Sequence, residues 1–156
     1  MSSSNWLEDK DLVNDFTTNI NQRTEELFRI PDMELDSDGC FVAPVVVLRE
    51  NVIFPKMITP VFVGQQKNLE SLRYGLENEQ TVITLIPKDP EKEFPVKKSD
   101  FYPVGLEIAV GRLVNLPEEH FSTLVQGRRR VILMDIVRRS PVLMARVYVS
   151  EVEAKK

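Results

Sequence analysis

The sequence has few of the residues from which catalytic and metal sites are commonly built. Its 156 residues include one cysteine, Cys40, and one histidine, His120. An intramolecular disulfide is therefore excluded, and so is a structural zinc site of the usual Cys and His composition. His120 lies in a predicted turn, where a catalytic role would require other groups to converge on it. We predict no catalytic residue and no metal site.

Long apolar runs and targeting signals are also lacking. No apolar run reaches the roughly 18 residues that a membrane-spanning helix needs. The acids near the N-terminus (Glu8, Asp9, Asp11 and Asp15) are atypical of secretory signals and transit peptides. There is no G-x-x-x-x-G-K-[ST] phosphate loop. We expect a cytoplasmic protein that has no membrane contact and binds no nucleotide within these residues.

Charge is distributed unevenly along the chain. The net charge is -4, but residues 1–40 carry ten acids and three bases, whereas residues 41–156 carry fourteen acids and seventeen bases. The small positive excess of the second part argues against a dedicated nucleic-acid-binding domain. We therefore divide the sequence into an acidic N-terminal extension, residues 1–40, and a body, residues 41–156.

The N-terminal extension is predicted to be a helix over residues 1–30 followed by an acidic linker. Its apolar residues fall at helical spacing and form one thin stripe (Val13, Phe16, Ile20 and Leu27). A helix with so narrow a stripe is marginally stable by itself. Trp6 and Phe16 are therefore candidate partner-binding residues. The alternative is that this helix covers the body of its own chain.

The body is predicted to be mainly β, within the α+β class. Short runs rich in β-branched residues indicate strands, and residues 65–79 form the one clear helix, with Leu69, Leu72 and Leu76 on one face. Residues 121–127 and 130–137 are predicted to be two separate strands, and the proline-containing residues 87–100 a surface loop. This pattern predicts a small pseudobarrel of about six strands with one packed helix.

One predicted strand, residues 104–110, has two unlike faces. One face carries the bulky residues Val104, Leu106, Ile108 and Val110. The other face, with Gly105, Glu107, Ala109 and Gly111, is nearly bare, because three of these four residues have a small side chain or none. Small residues on one face let a sheet bend sharply or let another backbone approach closely.

The segment between Leu48 and Gly64 is apolar but is interrupted by Pro55 and Pro60. Proline fixes its own φ and disfavours helix at the preceding residue, so this segment is predicted to be a stiff connection between strands. Phe54, Pro55, Met57 and Phe62 are candidate contacts for a protein partner, because a recogniser of unfolded chains needs an adaptable apolar surface. The alternative is that these side chains fill the core or one end of the barrel.

The same segment resembles the start of the N-terminal, substrate-recognition domain of the ATP-dependent Lon protease family. The similar residues are Leu48-Arg49, Val52, Phe54-Pro55, Met57, Pro60 and Phe62-Val63-Gly64. Further along, Val104-Gly105, Ala109, Leu116-Pro117, Val125, Gly127 and Arg130 resemble three more motifs of the family in the same order. The resemblance covers roughly residues 44–150.

The resemblance implies a PUA-like pseudobarrel that recognises unfolded or damaged proteins and helps subunits associate. It further implies that the chain is a fragment of a hexameric serine protease with a Ser-Lys catalytic pair, which would bind ATP and Mg in its other domains. This fragment would not itself be an enzyme. A standalone adaptor or regulator with the same domain and a PUA-like RNA-binding module remain as alternatives.

Three departures from the family pattern concern basic residues. Lys56 stands where the family usually has glycine, so we expect the turn to have no positive φ. Arg128 and Arg129 are not family positions, and this arginine run is interpreted as a solvated turn or strand edge, with phosphate binding as the alternative. Arg130, a family position, is predicted to make a structural ion pair.

Overall fold

A computed structural model describes residue 22, residues 24–49 and residues 52–150. Residue 22 and residues 24–28 are helical, whereas residues 29 and 30 of the predicted helix are a turn and a bend; the rest of that helix, including Trp6 and Phe16, lies outside the described residues. Seven strands and one longer helix follow. Their bounds are β1 Cys40–Val47, β2 Ile58–Val63, α1 Gln66–Glu77, β3 Val82–Leu85, β4 Val104–Val110, β5 Val114–Leu116, β6 His120–Arg138 and β7 Met144–Val149.

The strands close into a barrel through the long strand β6. Hydrogen-bonded neighbours run β6, β4, β3, β1 and β7, and β7 pairs with β6 again, which completes a ring of five strands. Only β1 and β3 are parallel. The first part of β6 also carries β2 and β5 as antiparallel neighbours. The predicted mainly β pseudobarrel with one packed helix is therefore confirmed.

The two strands predicted at residues 121–127 and 130–137 are one continuous strand of 19 residues. The chain makes no turn at Gly127. The glycine instead makes room for another part of the backbone. A Cβ atom at this position would overlap the backbone carbonyl of Phe54. The pairing register between β4 and β6 shifts close to this point. The glycine thus lets another backbone approach the strand while the strand itself continues.

Two apolar clusters hold the barrel together. An interior cluster takes the alternate residues Phe41, Ala43, Val45 and Val47 of β1. A second cluster lies between the sheet and α1, and contains Leu69 and Leu72 of the helix together with Val46 and Leu48. The helical stripe predicted from the leucine spacing therefore packs against the outside of the barrel.

The nearly bare face of β4 is covered by the N-terminal segment of the same chain. Leu27 is fully buried and clusters with Ala109, and its side chain would meet a Cβ atom placed on Gly111. At Gly105 the carbonyl of Thr84 in the neighbouring strand comes too close for a side chain. The small residues of this face thus permit close approach by two other parts of the chain.

Arginines of β6 bind this N-terminal segment, which we call the strap (residues 26–38). Arg128 donates to Asp32 at 2.8 Å and to the Leu27 carbonyl at 2.7 Å, and Arg129 donates to the Met33 carbonyl at 2.8 Å. The interpretation of this run as a solvated turn or strand edge is therefore wrong for Arg128 and Arg129, whose guanidinium groups bind the strap. They belong to a strand and bind the segment that the sequence suggested to be a linker.

The strap also binds a buried carboxylate in β4. Glu107 is inaccessible to solvent and accepts hydrogen bonds from the Thr81 hydroxyl at 2.6 Å, the Met33 N–H at 2.9 Å and Arg129 Nε at 2.7 Å. A buried carboxylate is tolerated only when it is paired and hydrogen-bonded. Glu107 therefore needs both the strap and Arg129 in place.

The last part of the strap leads directly into β1. Arg146 of β7 pairs with Asp36 at 2.8 Å and with Asp38 at 3.3 Å. The N–H group of Cys40 donates to the Asp36 carboxylate and, as the largest of several contributions, lowers the pKa of that group. Cys40, which the predicted division places in the N-terminal extension, is buried as the first residue of β1.

Candidate functional site

The segment Phe54-Pro55-Lys56-Met57 forms a tight turn that is fastened to β6. The Met57 N–H donates to the Phe54 carbonyl at 3.1 Å, Lys56 N–H donates to the Gly127 carbonyl at 2.8 Å, and Gly127 N–H donates to the Met57 carbonyl at 2.8 Å. Lys56 has a φ of 68°. Proline followed by a residue of positive φ is the pattern of a type II turn. The expectation that Lys56 excludes a positive φ is wrong.

The residues that lead into this turn point alternately toward the core and toward the surface. Ile53 is buried in the cluster under α1, whereas Val52 and Phe54 on either side of it are exposed. Alternation of this kind is expected of extended backbone. The prolines therefore leave an extended stretch whose outward side chains have no place in the core.

Beside the turn lies a shallow groove of about 190 Å³, which we call the Phe54 groove. Val52, Phe54 and Pro55 form one side of it, and Val104 of β4 and Arg130 of β6 form the other. Most of its wall is apolar, with the arginine at the edge. Phe54 and Pro55, both predicted from the sequence, are thus brought together in one surface.

The groove continues as an apolar row across three paired strands. Val104 of β4 is the register partner of Ile132 in β6, and Ile132 is the partner of Tyr148 in β7. All three side chains are exposed. Side chains at paired positions lie about 5 Å apart on one face of a sheet. The exposed apolar surface therefore extends from the turn over the outside of the barrel.

Met57 and Phe62 are exposed but do not line the Phe54 groove. The exposed fraction is 38% for Met57 and 68% for Phe62, so the alternative that they fill the core is wrong for both. Phe62 lies on β2, beside a different depression that includes Leu48 and Gly64. Arg130 is exposed on β6, and its structural ion pair stays a prediction. Val104, Ile132 and Tyr148 were not predicted, because their shared face depends on strand register.

A second concave surface opens at a different part of the barrel, between β1, the start of α1 and the loop of residues 87–100. This pocket, which we call the Phe94 pocket, has a volume of about 330 Å³. Its floor consists of Val45, Val47 and Leu143 from the interior cluster, and Phe94 and Pro95 form a wall. Lys67, Glu93 and Arg49 are the charged residues around it.

The loop that forms this wall is fastened from two sides. Arg49 donates to the carbonyls of Pro90 at 3.2 Å, Lys92 at 2.7 Å and Glu93 at 3.1 Å, and to the side chain of Gln65 at 2.7 Å. These bonds connect the loop to the beginning of α1. Arg49 belongs to one of the motifs that resemble the Lon family, but the sequence predicted no role for it. Its hydrogen bonds now show that it positions the loop.

Asp100 fastens the other end of the loop. The Lys92 ammonium lies 2.8 Å from its carboxylate, and the N–H groups of Lys97 and Val96 donate to the same group at 2.9 and 3.0 Å. The bond from Lys92, followed by that from Lys97, lowers the pKa of Asp100 from 3.8 to about 2. The residues predicted to be a surface loop are therefore a surface loop with a defined conformation.

His120 lines neither of these two concave surfaces. His120 has its Nδ1 atom 3.4 Å from the Pro117 carbonyl, in a third pocket whose described lining includes Arg73 and Asn115 but no carboxylate, cysteine or hydroxyl group. Within the described ranges, no three potential ligands among His, Cys, Asp and Glu gather as a metal site. Every helix in these ranges is too short or too polar to cross a bilayer.

The amino-acid sequence matches one protein family over most of its length. Residues 42–156 match the family model described as the ATP-dependent protease La (LON) substrate-binding domain. A Lon protease of Anaeromyxobacter dehalogenans is 33% identical over 106 residues, which cover 68% of this chain and 12% of the relative. A Lon protease of Aquifex aeolicus is 30% identical over 126 residues, which cover 81% of this chain and 15% of the relative.

A solved structure agrees with the fold. The crystal structure of a Lon N-terminal domain protein from Xanthomonas campestris aligns with a TM-score of 0.52 at 15% sequence identity, over 70% of this chain and 59% of that chain. The resemblance inferred from the ordered motifs is thereby confirmed. The chain spans only about an eighth of the length of the Lon protease from Anaeromyxobacter dehalogenans.

Proposed function

Because the chain belongs to the family of Lon substrate-binding domains, we propose that it recognises unfolded or damaged proteins through the Phe54 groove and the adjoining apolar row. The observation that supports this proposal is the continuous exposed surface of Phe54, Val104, Ile132 and Tyr148. Contiguous apolar surface on a soluble domain commonly marks a binding site.

The shape of this surface suits clients that differ in sequence. Its groove is shallow, and the side chains that line it are apolar except for Arg130 and Thr84. Unfolded clients have exposed apolar side chains in common, so affinity has to come mainly from apolar area removed from water, at roughly 25 cal/mol per Å². A surface of this kind would bind many different clients, each with low affinity.

The whole protein's activity forms a further part of the proposal. The parent would be a cytoplasmic ATP-dependent endopeptidase with a Ser-Lys pair, and ATP and Mg would bind in domains other than this one. This domain would supply clients and help the subunits of a hexamer associate, without catalysing a reaction itself. In a standalone adaptor, by contrast, the coding sequence would contain no phosphate-loop motif after Lys156.

The alternative of RNA binding has lost part of its support. Two arginines of the run that motivated it, Arg128 and Arg129, bind the strap through Asp32, Leu27 and Met33. Phosphate binding would make affinity fall steeply with added salt. Client binding through apolar surface should depend only weakly on salt, so one salt titration discriminates between the two functions.

A matched pair of phenylalanines tests the client site. Phe54 is 56% exposed and Phe28, on the strap, is 58% exposed. We expect Phe54→Ser to weaken the binding of fluorescently labelled casein, an unfolded protein, by about tenfold, because roughly half of a phenylalanine's transfer free energy is lost. Phe28→Ser should leave binding unchanged. Both variants should unfold at the wild-type urea concentration.

The outcome that would overturn the proposed site is equally clear. Equal casein affinity for wild type and Phe54→Ser, with both proteins folded, would exclude the Phe54 groove as the client site. No casein binding by the wild-type domain at any tested concentration would contradict the proposed function itself.

A further inference from the structure

We propose that the Phe94 pocket is a second client subsite, which binds a large apolar side chain that has an acidic residue directly beside it. This inference rests on the proposed function, since the ligand is a segment of an unfolded protein. It concerns a part of the surface that is lined by none of the described candidate residues, which are Phe54, Pro55, Met57, Phe62 and Arg130.

The floor of the pocket provides the apolar part of the recognition. Val45, Val47 and Leu143 are buried members of the interior cluster, yet they also line a pocket of about 330 Å³. Phe94 forms part of the wall and is 61% exposed. An apolar side chain placed here would contact core residues directly. Its burial would gain the transfer free energy of each methylene group that leaves water.

The charged residues around the pocket favour a carboxylate beside that side chain. Arg49 and Lys67 are positive and Glu93 is negative, so the charged residues lining the pocket carry a net charge of +1. Within the described chain, Arg49 donates to neutral oxygens of Pro90, Gln65, Lys92 and Glu93. Its hydrogen bonds fix its position, and its positive charge still contributes to the local potential. Lys67 is exposed at the start of α1 and can move to meet a carboxylate.

The pocket is formed before a ligand arrives. Arg49 ties the loop to the beginning of α1, and Asp100 binds Lys92 together with the N–H groups of Val96 and Lys97. A fixed wall reduces the conformational entropy lost on binding. The pocket therefore discriminates among client segments by side-chain size and neighbouring charge, which the shallow Phe54 groove does not do.

Short blocked peptides test this inference against the wild-type domain. Peptides acetylated at the N-terminus and amidated at the C-terminus would carry a central Leu-Asp, Leu-Asn or Ala-Asp pair, so that the aspartate is the only carboxylate. We expect the Leu-Asn peptide to bind about threefold more weakly than the Leu-Asp peptide, in the range of an exposed ion pair. We expect the Ala-Asp peptide to bind about tenfold more weakly, because it lacks most of the buried methyl groups.

Two variants and a control assign the effects to the pocket. Lys67→Glu should abolish or reverse the preference for aspartate over asparagine, and Phe94→Ala should weaken the Leu-Asp and Leu-Asn peptides equally. Lys88→Glu makes the same charge change on an exposed lysine of the loop that does not line the pocket, and should preserve the preference. Casein binding that depends on Phe54 should persist in all three variants.

Each result decides the inference. It is overturned if the Leu-Asp peptide shows no binding, if asparagine binds as well as aspartate, or if Lys88→Glu has the same effect as Lys67→Glu. In any of these cases, casein binding that still depends on Phe54 would leave the proposed function standing. Loss of casein binding by the wild-type domain would remove the proposed function as well.

Discussion

Arg129→Met tests whether a buried carboxylate fastens the strap to the barrel. Arg129 Nε lies 2.7 Å from the Glu107 carboxylate, and its Nη2 atom donates to the Met33 carbonyl at 2.8 Å. Its guanidinium also lies over the Phe41 ring at 5.7 Å. Methionine keeps much of the length and apolar stem of arginine, but it removes the charge and every hydrogen bond. The substitution therefore isolates the loss of pairing from the loss of volume.

The magnitude of the effect follows from the difference in burial between the two partners. Glu107 is 0% exposed and Arg129 is 27% exposed, so water can replace only part of what the arginine provides. Removing one partner of a buried ion pair costs about 3–5 kcal/mol, and the partial exposure of Arg129 places this case near the lower limit. A loss of about 3 kcal/mol should lower the melting temperature of a domain of this size by about 9 °C.

Urea denaturation of the wild type and four variants would measure this effect and its origin. Arg146→Met is the matched control, since Arg146 pairs with the more exposed Asp36 and Asp38 and should cost much less. Glu107→Gln keeps an oxygen for the Thr81 hydroxyl and the Met33 N–H. The double variant of Glu107→Gln and Arg129→Met should therefore lose less stability than the two single variants summed, by about 1–2 kcal/mol.

Two results would refute this reasoning. A loss below about 1 kcal/mol for Arg129→Met would mean that Glu107 does not depend on the arginine, in contrast to the behaviour of buried pairs. Strict additivity in the double variant would mean that the two side chains do not act on each other. Hydrogen exchange at the Met33 amide adds an independent measurement, because this amide donates to Glu107 and should exchange faster in Arg129→Met.

Two further predictions concern the turn at Lys56 and the loop at Asp100. Lys56→Gly should raise the free energy of unfolding, measured by urea denaturation, by about 0.5 kcal/mol. At a φ of 68° the backbone strain of lysine exceeds the extra conformational entropy that glycine loses on folding. A loss of stability would contradict this account. Asp100 has a lowered pKa, so its contribution is complete above its ordinary pKa of 3.8 and is lost as the pH falls from there to about 2. Thermal unfolding of Asp100→Asn should lack this component, and a difference from wild type that stayed constant between pH 5 and pH 2 would count against it.

The local elements of this fold could be predicted from the sequence because they depend on local patterns. The spacing of Leu69, Leu72 and Leu76 placed the helix α1, and β-branched runs placed the strands around it. The two-faced pattern of β4 predicted either a sharp bend of the sheet or the close approach of another backbone, and the structure shows the second. What covers that face, however, is a segment about 80 residues earlier in the chain, and no local pattern connects the two.

The roles of individual polar residues were harder to predict. Glu107 stands between Leu106 and Ile108, where a strand pattern indicates a residue facing solvent. Its burial depends on three partners far apart in sequence, namely Thr81, Met33 and Arg129. The arginine run was misread for the same reason, because a charge run tells nothing about which acids and carbonyls the fold brings to it. Ring closure and register decide such contacts.

Part of the candidate site could be predicted because a proline marks it in the sequence. Pro55 stops the chain from forming a regular element, so Phe54 was recognised as a possible surface residue before its position was known. Val104 and Ile132 lie in good strand sequences and carry no such signal. Val104 lines the groove beside Phe54, and only the pairing of β4 with β6 places Ile132 next to Val104.

The alternation of β4 separates the strap from the proposed client surface. Leu106, Ile108 and Val110 face the cluster under α1, and Val104 continues the same face into the Phe54 groove, whereas Glu107 and Ala109 face the strap. A strand cannot change which face a side chain occupies without shifting its register. The two faces can therefore be altered one at a time. Arg129→Met should destabilise the domain and yet bind casein with wild-type affinity at temperatures where it is folded. Phe54→Ser should bind casein more weakly and keep the stability of the wild type.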